Sequence, residues 1–226
     1  MSMQAVLFDM DGTLVNSEPY WLIAETELMA RYGHKWSDED QAHSLGGPLP
    51  KVGAYMSNLA QGAEDPLFFE VELVRLVSEQ FKAGLEFIPG ALELVTDLVE
   101  SGIPMALVSA SPRLLVDAAL ELLPPGTFLA SVSNQDVTIS KPHPESYLLA
   151  AKHLGVDIKR CVVLEDSKTG IDAGLASGAV VIGIPHLITY PPTERLHLRP
   201  NLVDLTTEEI KEIFYSLNSD ESLEIK

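Results

Sequence analysis

The chain has 226 residues and a formal net charge of −18, with 15 Lys and Arg against 33 Asp and Glu. At 46% hydrophobic and 21% charged it can build a sizeable core, which excludes global disorder. The acidity argues against nucleic acid and anionic membranes as partners, since both select proteins that neutralise phosphates, and at first sight it argues against any anionic substrate.

The first residues, Met1-Ser2-Met3-Gln4, carry no basic cluster, and Asp9 interrupts the first apolar run, so no secretory leader is expected. No stretch approaches the roughly 18 uncharged apolar residues of a membrane span. Ala5-Val6-Leu7-Phe8 reads as a buried strand. Residues 16–88 then read as helical: Trp21, Ala24, Leu28 and Tyr32 recur at helical spacing, as do Leu67, Val71, Val74 and Phe81, around a loop at Gly46-Gly47-Pro48-Leu49-Pro50. Further strands are expected at Met105 to Val108, Cys161 to Leu164 and Val180 to Ile184, with helices near 91–100, 112–122, 144–154 and 168–177.

Continuous apolar strands separated by helices indicate an α/β fold, a Rossmann-like doubly wound parallel sheet covered on both faces. The expected organisation is a core of residues 1–15 and 89–226 and an inserted helical domain at 16–88, placed after the first strand as a lid would be. Residues 206–226 are expected to form a terminal helix and a frayed acidic tail. Cys161 is the one cysteine, so no intrachain disulfide can form. A reducing cytoplasm and a buried structural thiol are the expectations.

Polar residues appear at four places where apolar strands end. After the first strand come Asp9-Met10-Asp11-Gly12-Thr13, two carboxylates on one turn with a glycine that tolerates close approach or positive φ. After the second come Ser109-Ala110-Ser111-Pro112, small residues ahead of a helix start that could offer amides to an anion. Ser140-Lys141-Pro142-His143-Pro144 puts one cation on a stiff loop, and Glu165-Asp166-Ser167 puts adjacent carboxylates at a buried strand end. Such carboxylates are costly unless they meet a metal or partners. Oxygen-only donors suit Mg²⁺.

In these four motifs the sequence resembles the haloacid dehalogenase superfamily, and within it the helically capped phosphatases of sugar phosphates. The resemblance runs from residue 4 to about 185 and includes Asn16-Ser17-Glu18-Pro19. It implies that Asp9 is the nucleophile and Asp11 the general acid and base. It implies that Mg²⁺ is held by the Asp9 side chain, the Asp11 carbonyl and Asp166, with Glu165 in or near the first shell. Ser109 and the Ala110 amide would bind phosphoryl oxygens, and Lys141 would pair with the phosphoryl group and with Asp9. Substrate choice is expected to lie in the insert, with Trp21, Gly46, Gly47, Lys51 and Tyr55 the first positions to inspect; the two aromatics could stack on a sugar face, though at helical spacing an aromatic is more often core. The partner is then a small phosphorylated metabolite, met by a monomer.

Relatives and rivals differ at single residues. Dehalogenases lack an aspartate at the position of Asp11, because no leaving alcohol needs a proton. β-Phosphoglucomutases resemble the chain but carry a His where Trp21 stands and an Arg in the loop that here reads Gly46 to Pro50, with only Lys51 close by. A mutase must clamp a second phosphate with cations. Residues 16–88 hold five bases against twelve acids, a poor setting for such a clamp. A receiver-like phospho-acceptor domain would need neither Asp11 nor the insert. The acidity also divides informatively: net −7 in the insert, −5 from Asp204 onward, −6 in the remainder. Four of the remainder's acids are the proposed metal and catalytic cluster.

Overall fold

Strand β1 (Ala5–Asp9) is buried along its whole length, as its unbroken apolar run requires. In the computed structural model, which describes residues 2–45, 47–184 and 190–218, β1 pairs in parallel with β2 (Met105–Val108) on one side and β4 (Cys161–Glu165) on the other. Beyond them lie β3 (Ala130–Val132), β5 (Val180–Gly183) and β6 (Leu196–Leu198). Among the described residues the sheet order is β3-β2-β1-β4-β5-β6, all parallel. The chain builds outward from β1 on one side, then returns to build on the other. That makes the flank of β1 a topological switch point, with a crevice at the carboxyl ends of the strands.

Helices α5 (Ala91–Glu100), α6 (Arg113–Leu120), α7 (Glu145–Leu154), α8 (Lys168–Ser177) and α9 (Thr207–Asn218) belong to the same unit as the sheet. One core cluster joins Leu7, Val108, Cys161, Val163 and Val181 of the strands to Tyr147, Ala150 and Ile171 of the helices. Cys161 is fully buried and its thiol is pushed up to about 12 by burial, with Asp157 adding to the rise. The acidic end expected beyond 218 lies outside the described residues, as does Gly46.

Contacts divide the chain into two units, Met1–Asn16 with Glu86–Lys226, and Ser17–Leu85. Where the first unit is interrupted, its two crossing segments are bonded to each other. Asn16 N donates to Glu86 O at 2.8 Å, Ile88 N to Leu14 O at 3.0 Å, and Val15 forms an antiparallel bridge with Phe87.

The second unit contains α1 (Glu18–Ala30), α2 (Asp38–Ser44), α3 (Leu49–Leu59) and α4 (Pro66–Ala83). One expectation fails here, the extent of the loop, and one helix shows a face that its periodicity did not specify. The loop ends at Pro48: Leu49 and Pro50 form the first turn of α3, where proline's missing N–H is not needed. And α4 buries Phe69, Leu73, Leu76, Val77 and Phe81, whereas Leu67 and Val71 of the expected stripe are 64% and 58% exposed. No helix among the described residues is long and apolar enough to cross a membrane.

Candidate active site

Register places the acidic strand ends side by side. Asp9, the last residue of β1, is level with Val108 of β2, and Phe8 is level with Leu164, one residue before Glu165. Lys141 reaches this row from the loop before α7. Its Nζ donates to Asp9 Oδ1 at 2.5 Å, to Glu165 Oε1 at 2.7 Å and to Val108 O at 3.1 Å. An ammonium has three hydrogens, and all three are placed. The Lys141, Asp9 and Glu165 side chains are 5%, 8% and 0% exposed.

Burial sets the electrostatics. Loss of water pushes Asp9 well above the usual carboxylate range; Glu165, Asp166 and Asp11 push the same way, and Lys141 opposes them. Burial alone would lower Lys141, but Asp9 and Glu165 hold it above its ordinary value. One ammonium thus faces Asp9, Asp11, Glu165 and Asp166, a cluster with more negative than positive charge.

Asp11 is held differently. Ser109 Oγ and Ser111 Oγ both donate to its Oδ2 at 2.8 Å, and Ser111 N donates back to Ser109 Oγ at 2.9 Å. Asp11 Oδ1 is buried and has no hydrogen-bond partner among the described residues. The turn from Asp11 to Val15 closes through Gly12 N to Val15 O at 2.8 Å, with Gly12 at φ +85°. Glycine is needed here for a second reason: a Cβ would stand 2.3 Å from Asp166 Oδ2. Thr13 Oγ1 donates to Asp166 Oδ1 at 3.4 Å.

One oxygen from each of Asp9, Glu165 and Asp166 lies within 4.8 Å of the others, a group that could hold a metal ion. The donor set is all oxygen, the charge is deficient in cations, and Asp11 carries an orphaned buried oxygen beside it. The residues fit a hard divalent cation.

Asp9, Asp11, Ser109, Lys141, Glu165 and Asp166 thus converge in the first unit, with exposed Ala110 on the loop beside Ser109. Trp21, Gly47 and Lys51 lie in the second unit: Trp21 is partly buried on α1, Gly47 bonds back to Ser44 O at 2.9 Å, and Lys51 is exposed on the first turn of α3. Tyr55 follows the packing reading of the two given for it. Its hydroxyl donates to Asp40 Oδ1 at 2.6 Å, and His43 stacks on its ring with centroids 4.1 Å apart, so this face is already covered. Sequence reasoning missed Ser111, Ser167 and Tyr147, all of which bond to the acidic residues. Ser111 and Ser167 were visible as hydroxyls within the strand-end motifs. Tyr147 had no such signal.

The chain belongs to the haloacid dehalogenase-like hydrolase family, whose model matches residues 6–184. It is 36% identical over 188 residues to Protein SUPPRESSOR OF QUENCHING 1, chloroplastic, of Arabidopsis thaliana, covering 80% of this chain but only 18% of that much longer protein. It is 34% identical over 185 residues to hexitol phosphatase B of Escherichia coli K12, covering 80% of this chain and 83% of that one. A solved haloacid dehalogenase hydrolase of family IA, variant 3, from Entamoeba histolytica superposes with a TM-score of 0.77 at 25% identity, covering 94% of this chain and 99% of the other.

Proposed function

We propose that the chain is a Mg²⁺-dependent cytoplasmic phosphatase that hydrolyses small phosphate monoesters, sugar or sugar-alcohol phosphates, through an aspartyl-phosphate on Asp9. The observation that carries this reading is the pairing of roles at one strand end. Asp9 is rigid, buried and ion-paired, while Asp11, two residues on, has one oxygen fixed by two serines and the other unengaged. The relationship to hexitol phosphatase B supports the substrate class.

Asp9, Asp166 and the Asp11 carbonyl would hold the Mg²⁺, with Glu165 behind them holding the Lys141 ammonium in place. Bound there, the ion supplies positive charge against the phosphoryl oxygens and restores the ionised form of Asp9. The Asp9 carboxylate attacks phosphorus, and the bond from phosphorus to the ester oxygen breaks. Asp11, protonated on Oδ1, gives its proton to the leaving alkoxide. It then takes a proton from water, which attacks the acyl phosphate and releases inorganic phosphate with Asp9 restored. Lys141 keeps a positive charge beside the attacking oxygen, and Ser109 with the Ala110 amide receives the phosphoryl oxygens.

The helical unit, Ser17–Leu85, is assigned to substrate selection through Trp21, Gly47 and Lys51. Its two arginines are both spoken for: Arg31 pairs with Glu27 and Glu72, and Arg75 with Glu72 and Glu79. This weighs against a mutase, which needs a cation for a second phosphate. The test is a panel of phosphate monoesters assayed with Mg²⁺ and with EDTA, for wild type and Asp9→Asn. Turnover of sugar phosphates that vanishes with EDTA and in the variant is the expected result. An Asp9→Asn protein retaining a tenth of the rate overturns the nucleophile assignment.

A further inference from the structure

Glu165 is fully buried, and the four lone-pair positions of its carboxylate are all filled by this chain. Oε1 accepts from Lys141 Nζ and from the Tyr147 hydroxyl, each at 2.7 Å. Oε2 accepts from Ser167 N at 3.2 Å and Ser167 Oγ at 3.1 Å. The carboxylate lies against Gly170, where only a glycine fits: a Cβ there would lie 1.7 Å from Oε1. Ser167 is local, two residues along the chain and capping α8 through Gly170 N. Tyr147 is the long-range member. It sits on α7 with no exposed surface, packed in the cluster that holds Leu7, Val108 and Val163. The same ring lies under the ammonium, with Lys141 Nζ 4.9 Å from its centroid, inside the range of a cation–π contact.

A phenylalanine would fill this apolar site equally well. A buried phenol is retained against the desolvation of its hydroxyl only where a partner repays it, and here the partner is the most buried acid of the cluster. We propose that Tyr147 is a positioning residue: its hydroxyl fixes the rotation of the Glu165 carboxylate, and through Glu165 it sets the Lys141 ammonium against Asp9 and the cluster in its cation-binding arrangement. The core strands β1, β2 and β4 supply the rigid frame on which that orientation rests. A carboxylate free to rotate would present the cluster in several arrangements, and the cation would have to select one of them, which weakens binding.

This inference rests on the Mg²⁺-dependent reading of the same site, so its test measures Mg²⁺ binding directly, without substrate. Calorimetric titration with Mg²⁺ is run on wild type, Asp166→Asn, Tyr147→Phe and Tyr147→Leu, each checked for a native near-ultraviolet circular dichroism spectrum and a single thermal transition. Tyr147→Phe keeps the ring and removes only the hydroxyl, so folding is retained. It is expected to raise the Mg²⁺ Kd several-fold, up to about tenfold, because the change reaches the ion only through Glu165, Lys141 and Asp9, and to lower kcat with KM for substrate unchanged. Tyr147→Leu is expected to be weaker still, since the ring contact to Lys141 also goes. Equal Mg²⁺ affinity in wild type and Tyr147→Phe overturns the inference while leaving the phosphatase reading intact. A wild type with no Mg²⁺ affinity, or one indifferent to Asp166→Asn, overturns the metal assignment itself and this inference with it.

Discussion

Lys141 Nζ stands 2.5 Å from Asp9 Oδ1, and neither side chain has water to share the charge. Glu165 completes the arrangement at 2.7 Å from the same nitrogen, so one ammonium holds two buried carboxylates in place. Removing it would leave two acids facing each other without a counter-charge. Lys141→Met is therefore expected to cost about 3–5 kcal/mol of stability, the penalty for orphaning a buried ion. Added Mg²⁺ should return part of that loss, since it supplies the missing charge. Thermal melts of the variant with and without Mg²⁺ check both points; a melting temperature equal to wild type would contradict them.

Asp11 offers a sharper chemical test, because its proposed role matters only when the leaving group needs a proton. Asp11→Asn is expected to lower kcat on an alkyl phosphate such as a sugar phosphate by about 10²–10⁴-fold. On p-nitrophenyl phosphate, whose phenolate leaves unaided, the first step should be much less affected and the phosphorylated protein should accumulate. The measurement is the single-turnover rate of leaving-group release from each ester, compared between variant and wild type, which reads the first step alone. An identical loss on both esters contradicts a general-acid role.

Tyr55 is expected to act on stability and not on substrate. Its hydroxyl completes a set around buried Asp40, which also accepts from Ser37 N at 2.8 Å, Ser37 Oγ at 2.7 Å and His34 at 3.0 Å. These bonds, the one from Tyr55 first, hold the Asp40 carboxyl below its usual range, and Tyr55 is pushed up to about 12 by the same bond. Tyr55→Phe should cost about 1–2 kcal/mol with KM unchanged. Urea unfolding and steady-state kinetics on one preparation decide it; an intact stability with an altered KM would return Tyr55 to the substrate site.

The second unit also carries a pH-sensitive liability. Glu25 on α1 is 4% exposed, Oε2 has no partner among the described residues, and burial, then Glu18, pushes its carboxyl from 4.5 up to about 8. Below about pH 4.5 the folded and unfolded chains both hold this proton. Between there and about 8 only the folded chain does, so this group's contribution makes stability fall as pH rises through that window. Glu25→Gln removes the titration. The difference in melting temperature between variant and wild type should grow steadily from pH 5 to pH 8, and a difference that stays constant would contradict the assignment.

Much of this was readable before any coordinates, and the reason is physical. Asp9, Ser109 and Glu165 each stand at or one residue past the end of a continuous apolar strand, where α/β sheets present ligands, so the pattern names both element and position. Asp11 and Asp166 stand in the same strand-end motifs, whereas Lys141, one cation on a loop, is assigned to the site only through the resemblance to the haloacid dehalogenase superfamily. Tyr147 could not be found this way: within the 145–154 helix an aromatic at a core position looks like packing, and only the docking of α7 on the sheet brings its hydroxyl to Glu165. β3 and β6 escaped because Ala-Ser-Val and Leu-His-Leu are three-residue edge strands without an apolar run. The helix at α4 was legible but its buried face was not, because Leu67, Phe68, Phe69, Val71, Leu73 and Val74 outline two overlapping stripes. Periodicity gives an angle, and only the neighbouring helix decides which stripe is covered.

The central claim is that a phosphoryl group passes through Asp9. It is tested most directly by mixing Asp11→Asn protein with a phosphate monoester and Mg²⁺, quenching in acid within the first turnover, and mapping the peptides by mass spectrometry. The account expects one phosphoryl group on the peptide containing Asp9, absent when Asp9→Asn is added to the same protein. Phosphate release in a single turnover with no phosphorylated peptide at any quench time would contradict it.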